Sequence, residues 1–230
     1  MWDLVRPRLE RRFEVIAPAL PGHLGGPPIP AEPTPTSLVE HVERTMDEAG
    51  FETAYVAGNS LGGHVALQLA GRGRARAVTA FAPAGGWEDA AGKQQTLDWF
   101  TRMHEQLEGA EQNAAWIAST PAGRRRATAA MVERFEHIPP ETVAHIIRAA
   151  ALCRDAPRMI EIAQRSGYPF GAIECPLRIV WGTEDKLLPW PSAAARFRRE
   201  LPHADWVILD GVGHCPQLEL PLETAELIFT

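Results

Sequence analysis

Gly58-Asn59-Ser60-Leu61-Gly62 reads G-x-S-x-G, and its flanks decide how the whole chain is read. Before it runs Thr53-Ala54-Tyr55-Val56-Ala57, short and apolar, with a β-branched residue and an aromatic, which predicts a buried strand. After it runs Gly63-His64-Val65-Ala66-Leu67-Gln68-Leu69-Ala70, with apolar residues at helical spacing. A serine between a strand and a helix on a sharp turn is a nucleophile elbow. The glycines leave room for a strained serine backbone. The helix aims its N-terminal amides at the place where negative charge develops in acyl transfer.

Working outward, an elbow serine needs a histidine to take its proton and an acid to orient that histidine. In such sites the chain order is Ser, then Asp or Glu, then His. Pro176-Leu177-Arg178-Ile179-Val180-Trp181-Gly182 predicts a second buried strand, and Asp185 lies just past it. A helix is expected over residues 192–201. Trp206-Val207-Ile208-Leu209 then predicts another strand, followed by the glycine-rich Gly211-Val212-Gly213-His214. Ser60, Asp185 and His214 thus fall past three strand ends, the edge where open α/β sheets build their sites. Glu184 and Asp89 are rivals for the acid, whereas Asp210 is read as ending its strand. His23 precedes Ser60, the wrong order for the base. Cys215 is read as a packed residue, not a thiol nucleophile. His64, His104, His137 and His145 show no metal-ligand spacing, so no metal is expected. Arg124-Arg125-Arg126 is read as a solvated helix face, and Gly71-Arg72-Gly73 opens no nucleotide-binding unit.

These pieces, together with Val15-Ile16-Ala17-Pro18-Ala19-Leu20-Pro21-Gly22-His23, resemble the α/β-hydrolase family over most of the chain. The resemblance implies an α/β fold: a mostly parallel sheet wrapped by helices, with a Ser60–Asp185–His214 triad. It also implies a helical cap inserted after the strand Val78-Thr79-Ala80-Phe81-Ala82. The core then comprises residues 1–86 and 168–230, and the cap residues 87–167. The expected activity is hydrolysis of an ester, a lactone or a carbon–carbon bond next to a carbonyl, through an acyl-enzyme and without a cofactor. The backbone N–H of Leu61 is the expected oxyanion donor. A non-catalytic relative and a cofactor-free lyase or oxygenase are the alternatives. Serine at the elbow argues against haloalkane dehalogenases and epoxide hydrolases, which use an aspartate there.

One feature departs from the family. Members usually open with further strands and a His-Gly turn that gives the second oxyanion amide. Here residues 2–12 read as the helix that follows that turn, so the chain is read as N-terminally truncated. A rival reading has residues 13–20, expected as a strand, pairing directly with residues 53–58. Losing one oxyanion donor costs on the order of 10²–10³ in rate, about 3–4 kcal/mol, so weak activity is expected. A second departure is Ala19, where the family often carries an acid.

Composition sets the remaining bounds. The chain has 230 residues, 45% of them hydrophobic and 23% charged, which suits a globular enzyme of one domain plus an insertion. A net charge of −6 argues against nonspecific nucleic-acid binding. No apolar run is long enough to span a membrane, and residues 1–12 do not read as a signal peptide. The three cysteines, Cys153, Cys175 and Cys215, are scattered, which suggests a reducing, cytoplasmic setting. The expected partner is a small-molecule substrate. Residues 21–35 predict a loop and 37–49 a helix stopped by Gly50. In the cap, helices are expected over residues 94–107, 110–118, 122–135, 141–152 and 156–164, and a closing helix over 221–229. Trp87, Trp99, Phe100, Trp116, Phe135 and Met159 are candidates to line an apolar pocket, although aromatics at helical spacing more often pack.

Overall fold

A computed structural model describes residues 1–229. Its sheet has four parallel strands in sequential order: β1 (Ala54–Asn59), β2 (Ala75–Phe81), β3 (Leu177–Gly182) and β4 (Asp205–Leu209). Parallel strands need crossovers. Here α3 (Leu61–Gly71) joins β1 to β2, and the long helical stretch described below joins β2 to β3. Between β3 and β4 lies α9 (Ala195–Glu200), entered through a 3₁₀ turn, Ser192–Ala194, where a single helix over 192–201 is expected.

The inner strands carry the burial. Phe81, Ile179, Val180 and Trp181 are fully enclosed. Each such side chain contributes roughly 1.5–3 kcal/mol on leaving water. α3 is buried over Gly63–Ala70, because it is covered on two sides. Ala66, Leu67 and Ala70 pack towards β2, β3 and Phe197. Val65 and Leu69 meet Val39 and Met46 of α2 (Ser37–Glu48). A helix apolar all round belongs at the centre of a domain. Gly50, at φ +77, ends that region as expected.

The N-terminal expectations need correction. Only Arg6–Leu9 (α1) is helical, flanked by turns, where a helix over 2–12 is expected. Residues 13–20 form no strand, and among the described residues β1 has a neighbour on one side only. The direct pairing of this segment with β1 is therefore absent. Its side chains still find apolar company: Ile16 and Leu20 against the α2–α3 cluster, Val15 against Leu9 and Ala225, and Phe13 against Tyr55 with ring centroids 5.6 Å apart. A strand requires a backbone ladder, and side-chain packing alone does not supply one.

The stretch between β2 and β3 holds α4 (Ala90–Leu107), a 3₁₀ turn (Ala110–Asn113), α5 (Ala114–Ser119), α6 (Pro121–Thr128), α7 (Pro140–Ala151) and α8 (Ala156–Arg165). α6 stops seven residues before the expected end at 135. Residues 131–135 instead form a loop whose Val132 and Phe135 fill a cluster with Ala118, Val143, Ile147, Cys215 and Leu218. Trp116 is 73% exposed, so it lines no interior surface. Arg124 is not a plainly solvated residue: it donates to the Ala118 carbonyl at 3.0 Å, and its Nε is enclosed. The chain closes with α10 (Pro216–Glu219), which the sequence did not announce, and α11 (Pro221–Phe229). Among the described residues, no helix is long and apolar enough to cross a membrane.

Candidate active site

Ser60 sits between β1 and α3 with φ 55 and ψ −117. That left-handed backbone is costly for a residue with a side chain, and it persists only where the surroundings enforce it. Here the Ser60 N–H donates to the Phe81 carbonyl at 2.9 Å. The Ser60 carbonyl accepts from His64 N–H and Ala84 N–H, both at 3.0 Å. A Cβ on Gly58 would run into the Gly62 carbonyl, so that glycine is required by the turn. Gly62 differs: a Cβ there meets nothing within 4 Å. The second glycine of the motif is therefore not demanded by crowding in this chain. Leu61 opens α3, so its N–H has no carbonyl one turn back within the helix.

Asp185 and His214 meet past the ends of β3 and β4. His214 Nδ1 lies 2.7 Å from Asp185 Oδ2, and both side chains are almost fully buried. The other carboxylate oxygen accepts from Leu187 N–H at 2.9 Å and Leu188 N–H at 2.7 Å. Three donors thus fix the carboxylate, and the carboxylate fixes the imidazole with Nδ1 as donor and Nε2 turned away. The rivals are elsewhere. Glu184 is exposed, Asp89 caps α4 by accepting from Gly92 N–H at 2.6 Å, and Asp210 bonds Thr183 at the surface. His23 bonds its own loop at the Pro21 carbonyl, 3.2 Å away.

Asn59 is the residue that sequence reasoning missed. Its Nδ2 donates to the Phe81 carbonyl at 3.1 Å and to the His214 carbonyl at 2.9 Å. Its Oδ1 accepts from Gln217 Nε2 at 3.0 Å. The elbow and the histidine loop are thereby tied one residue away from Ser60. The available signal was an amide in the variable place of an otherwise small, apolar motif. Among the described residues no hydrogen bond joins Ser60 Oγ to the His214 ring; such bonds often tighten only once substrate is bound. Cys215 is 2% exposed, and burial pushes its thiol up, which suits packing rather than nucleophilic attack.

His64 is a second enclosed histidine. Burial, then the nearby Arg196 charge, lowers its pKa to about 4. Its ring meets Tyr168 edge-on at 5.0 Å. Burial pushes Tyr168 up to about 12. A hollow of about 250 Å³ beside it is lined by Trp87, Lys93, Tyr168 and Arg196, and one of about 390 Å³ lies at Asp47, Gly50 and Arg74. Neither is lined by Ser60 or His214. Among the described residues no group of three or more metal-ligating side chains gathers.

Comparison with known proteins agrees with this architecture. The chain is 34% identical over 198 residues to the protein named epoxide hydrolase EphH of Mycobacterium tuberculosis, covering 83% of this chain and 91% of that protein. Among solved structures, lip1 of Acinetobacter baumannii AYE superposes with a TM-score of 0.74 at 21% identity, over 98% of this chain and 76% of that one. The meta-cleavage product hydrolase CumD of Pseudomonas fluorescens IP01 gives 0.68 at 22%, over 99% and 82%. At those identities the two structures speak for the fold alone. The family model described as "Alpha/beta hydrolase family" matches residues 1–227, and the chain belongs to that family.

Proposed function

We propose that this hydrolase is serine-dependent and acts on a small-molecule ester, lactone or carbon–carbon bond next to a carbonyl. The observation that carries the reading is the buried His214–Asp185 pair, 2.7 Å apart, tied to the elbow by Asn59. Ser60 Oγ attacks the carbonyl carbon while its proton passes to His214 Nε2. The carbonyl electron pair moves onto oxygen, where Leu61 N–H donates to it. Collapse of this intermediate breaks the bond to the leaving group, which takes the proton from Nε2. Water then attacks the acyl-serine by the same sequence and releases the acid. Asp185 holds the tautomer throughout and stabilises the imidazolium. Residues 87–167 form the cap in this reading and contribute the substrate's apolar surroundings.

The similarity to a protein named epoxide hydrolase favours a second reading. Chemistry weighs against Ser60 as its nucleophile. Serine opening an epoxide leaves an alkyl ether, which offers water no carbonyl to attack. Epoxide opening would need His214 to activate water directly, and Ser60 would be dispensable. A lyase or oxygenase without cofactor would also dispense with it.

Labelling by a fluorophosphonate, paired with p-nitrophenyl ester turnover, separates these readings. Labelling is expected in the native chain and absent in Ser60→Ala and His214→Ala. Ester kcat should fall in both by on the order of 10³-fold or more. Epoxide turnover that survives Ser60→Ala would establish the second reading. A folded native chain that neither labels nor turns over would mean a non-catalytic relative.

A further inference from the structure

The histidine loop is held on its far side by a part of the chain that no motif marks. Glu219 is buried, with its side chain wholly out of water, five residues after His214. Its Oε2 accepts from Gly213 N–H at 2.9 Å and from Glu133 N–H at 3.1 Å, and its Oε1 accepts from Arg134 Nε at 3.0 Å. One carboxylate therefore clasps the residue before His214 to the loop after α6. Further bonds run along the same seam. Cys215 N–H donates to the Met131 carbonyl at 2.8 Å, and His137 Nε2 lies 2.8 Å from the Leu218 carbonyl. Lys186, next to Asp185, pairs with Glu133 and reaches the Ala129 carbonyl at 3.5 Å. Residues 129–137 thus touch both the acid loop and the histidine loop.

A buried carboxylate is expensive unless donors meet it. Breaking one side of such a clasp leaves the buried Gly213 N–H without its partner. The seam is also tight: a Cβ on Gly213 would stand 2.8 Å from the Met131 carbonyl oxygen and 2.9 Å from Val132 Cα. We propose that Glu219 is a positioning residue, which straps the 129–137 loop to the histidine loop and so keeps His214 on Asp185. Its hydrogen bonds go neither to Ser60 nor to the imidazole. This inference rests on the reading of His214 as the general base.

Asp185 is at contact with the imidazole and Cys215 follows it in the chain, the N-terminal ammonium and Glu219 act electrostatically on Cys215, and Lys186, Glu133, Arg134 and Glu219 lie along the seam. Loosening His214 from Asp185 removes stabilisation of the imidazolium. The acid limb of the kcat/KM profile should therefore move to lower pH. The test compares the native chain, Glu219→Gln, Glu219→Ala and Gly213→Ala by p-nitrophenyl ester kinetics against pH and by the rate of fluorophosphonate labelling. Active sites are counted from the labelled fraction. Glutamine keeps an oxygen for the two backbone donors, so Glu219→Gln should hold kcat per active site within about threefold. Glu219→Ala should lower kcat per active site roughly 10- to 100-fold with little change in KM, and shift the acid limb down. Gly213→Ala forces the same seam apart and should show the same signature, which covers the case in which Glu219→Ala does not fold. An unmoved acid limb and unchanged kcat per active site in the folded variants would overturn the proposal. A native chain without His214-dependent labelling would instead overturn the reading beneath it.

Discussion

On the β3–β4 side of the sheet, the loops past the strand ends are bonded to each other, to the elbow and to the 129–137 loop. On the β1 side, residues 13–20 lay apolar side chains on the core while their backbone joins no ladder. Both regions contain aromatic and β-branched residues suited to a sheet. What separates them is backbone satisfaction. Asp185, Asn59 and Glu219 each fill several donor or acceptor places at once, whereas β1 presents one edge without a described neighbour. Apolar pattern brings a segment to the core, but hydrogen-bond partners decide whether it becomes part of the sheet.

The contrast can be broken first where it is densest. A Cβ on Gly182 would run into the carbonyls of Val212 and Gly213, where the end of β3 meets the histidine loop. Gly182→Ala should cost about 3 kcal/mol or more in urea unfolding. A cost under 1 kcal/mol would mean that this side is as pliable as the β1 side.

His64 probes the buried interior through pH. Its folded pKa of about 4 lies below its ordinary value, so the unfolded chain takes up the proton first. The contribution is whole above the unfolded value, near 6.5, and is lost as pH falls towards 4. Between pH 7 and pH 5 it amounts to about 2 kcal/mol. Among the described residues the ring makes no hydrogen bond, and its Nδ1 is enclosed. His64→Phe should therefore lose that much less stability across the interval than the native chain. Parallel pH dependences in the two proteins would show that the pocket admits water.

The smallest effect belongs at the open edge. Tyr55 is 57% exposed on β1. Tyr55→Thr keeps strand propensity and should change stability by less than about 0.5 kcal/mol. A loss comparable to that of Gly182→Ala would mean that the β1 edge is covered in solution.

Much was legible because it depends on local rules. The elbow could be read from Gly58 and the apolar runs beside it, since a tight turn demands a missing Cβ and a buried parallel strand demands an unbroken apolar run. The order Ser60, Asp185, His214 followed from strand ends found in the same way, and the structure brings the last two together. α7, α8 and α11 matched because proline marks the start of each. Residues 122–135 misled because alanine and arginine favour a helix up to Phe135. Burial of Val132 and Phe135 beside Cys215 and Leu218 outweighed that propensity. Residues 13–20 misled for the opposite reason, because β-propensity cannot create the neighbour that a strand needs.

Local pattern alone was enough for the strand–elbow–helix unit, the parallel α/β class and the placing of Ser60, Asp185 and His214 past strand ends. The bonds of Asn59 and Glu219 to the histidine loop, the open space at Gly62 and the place of β1 at the end of the described sheet came only with the folded chain. The physical reason is range: backbone sterics and periodicity act within a few residues, whereas the bond from Asn59 to the His214 carbonyl spans 155 positions and exists only once the chain has closed around it.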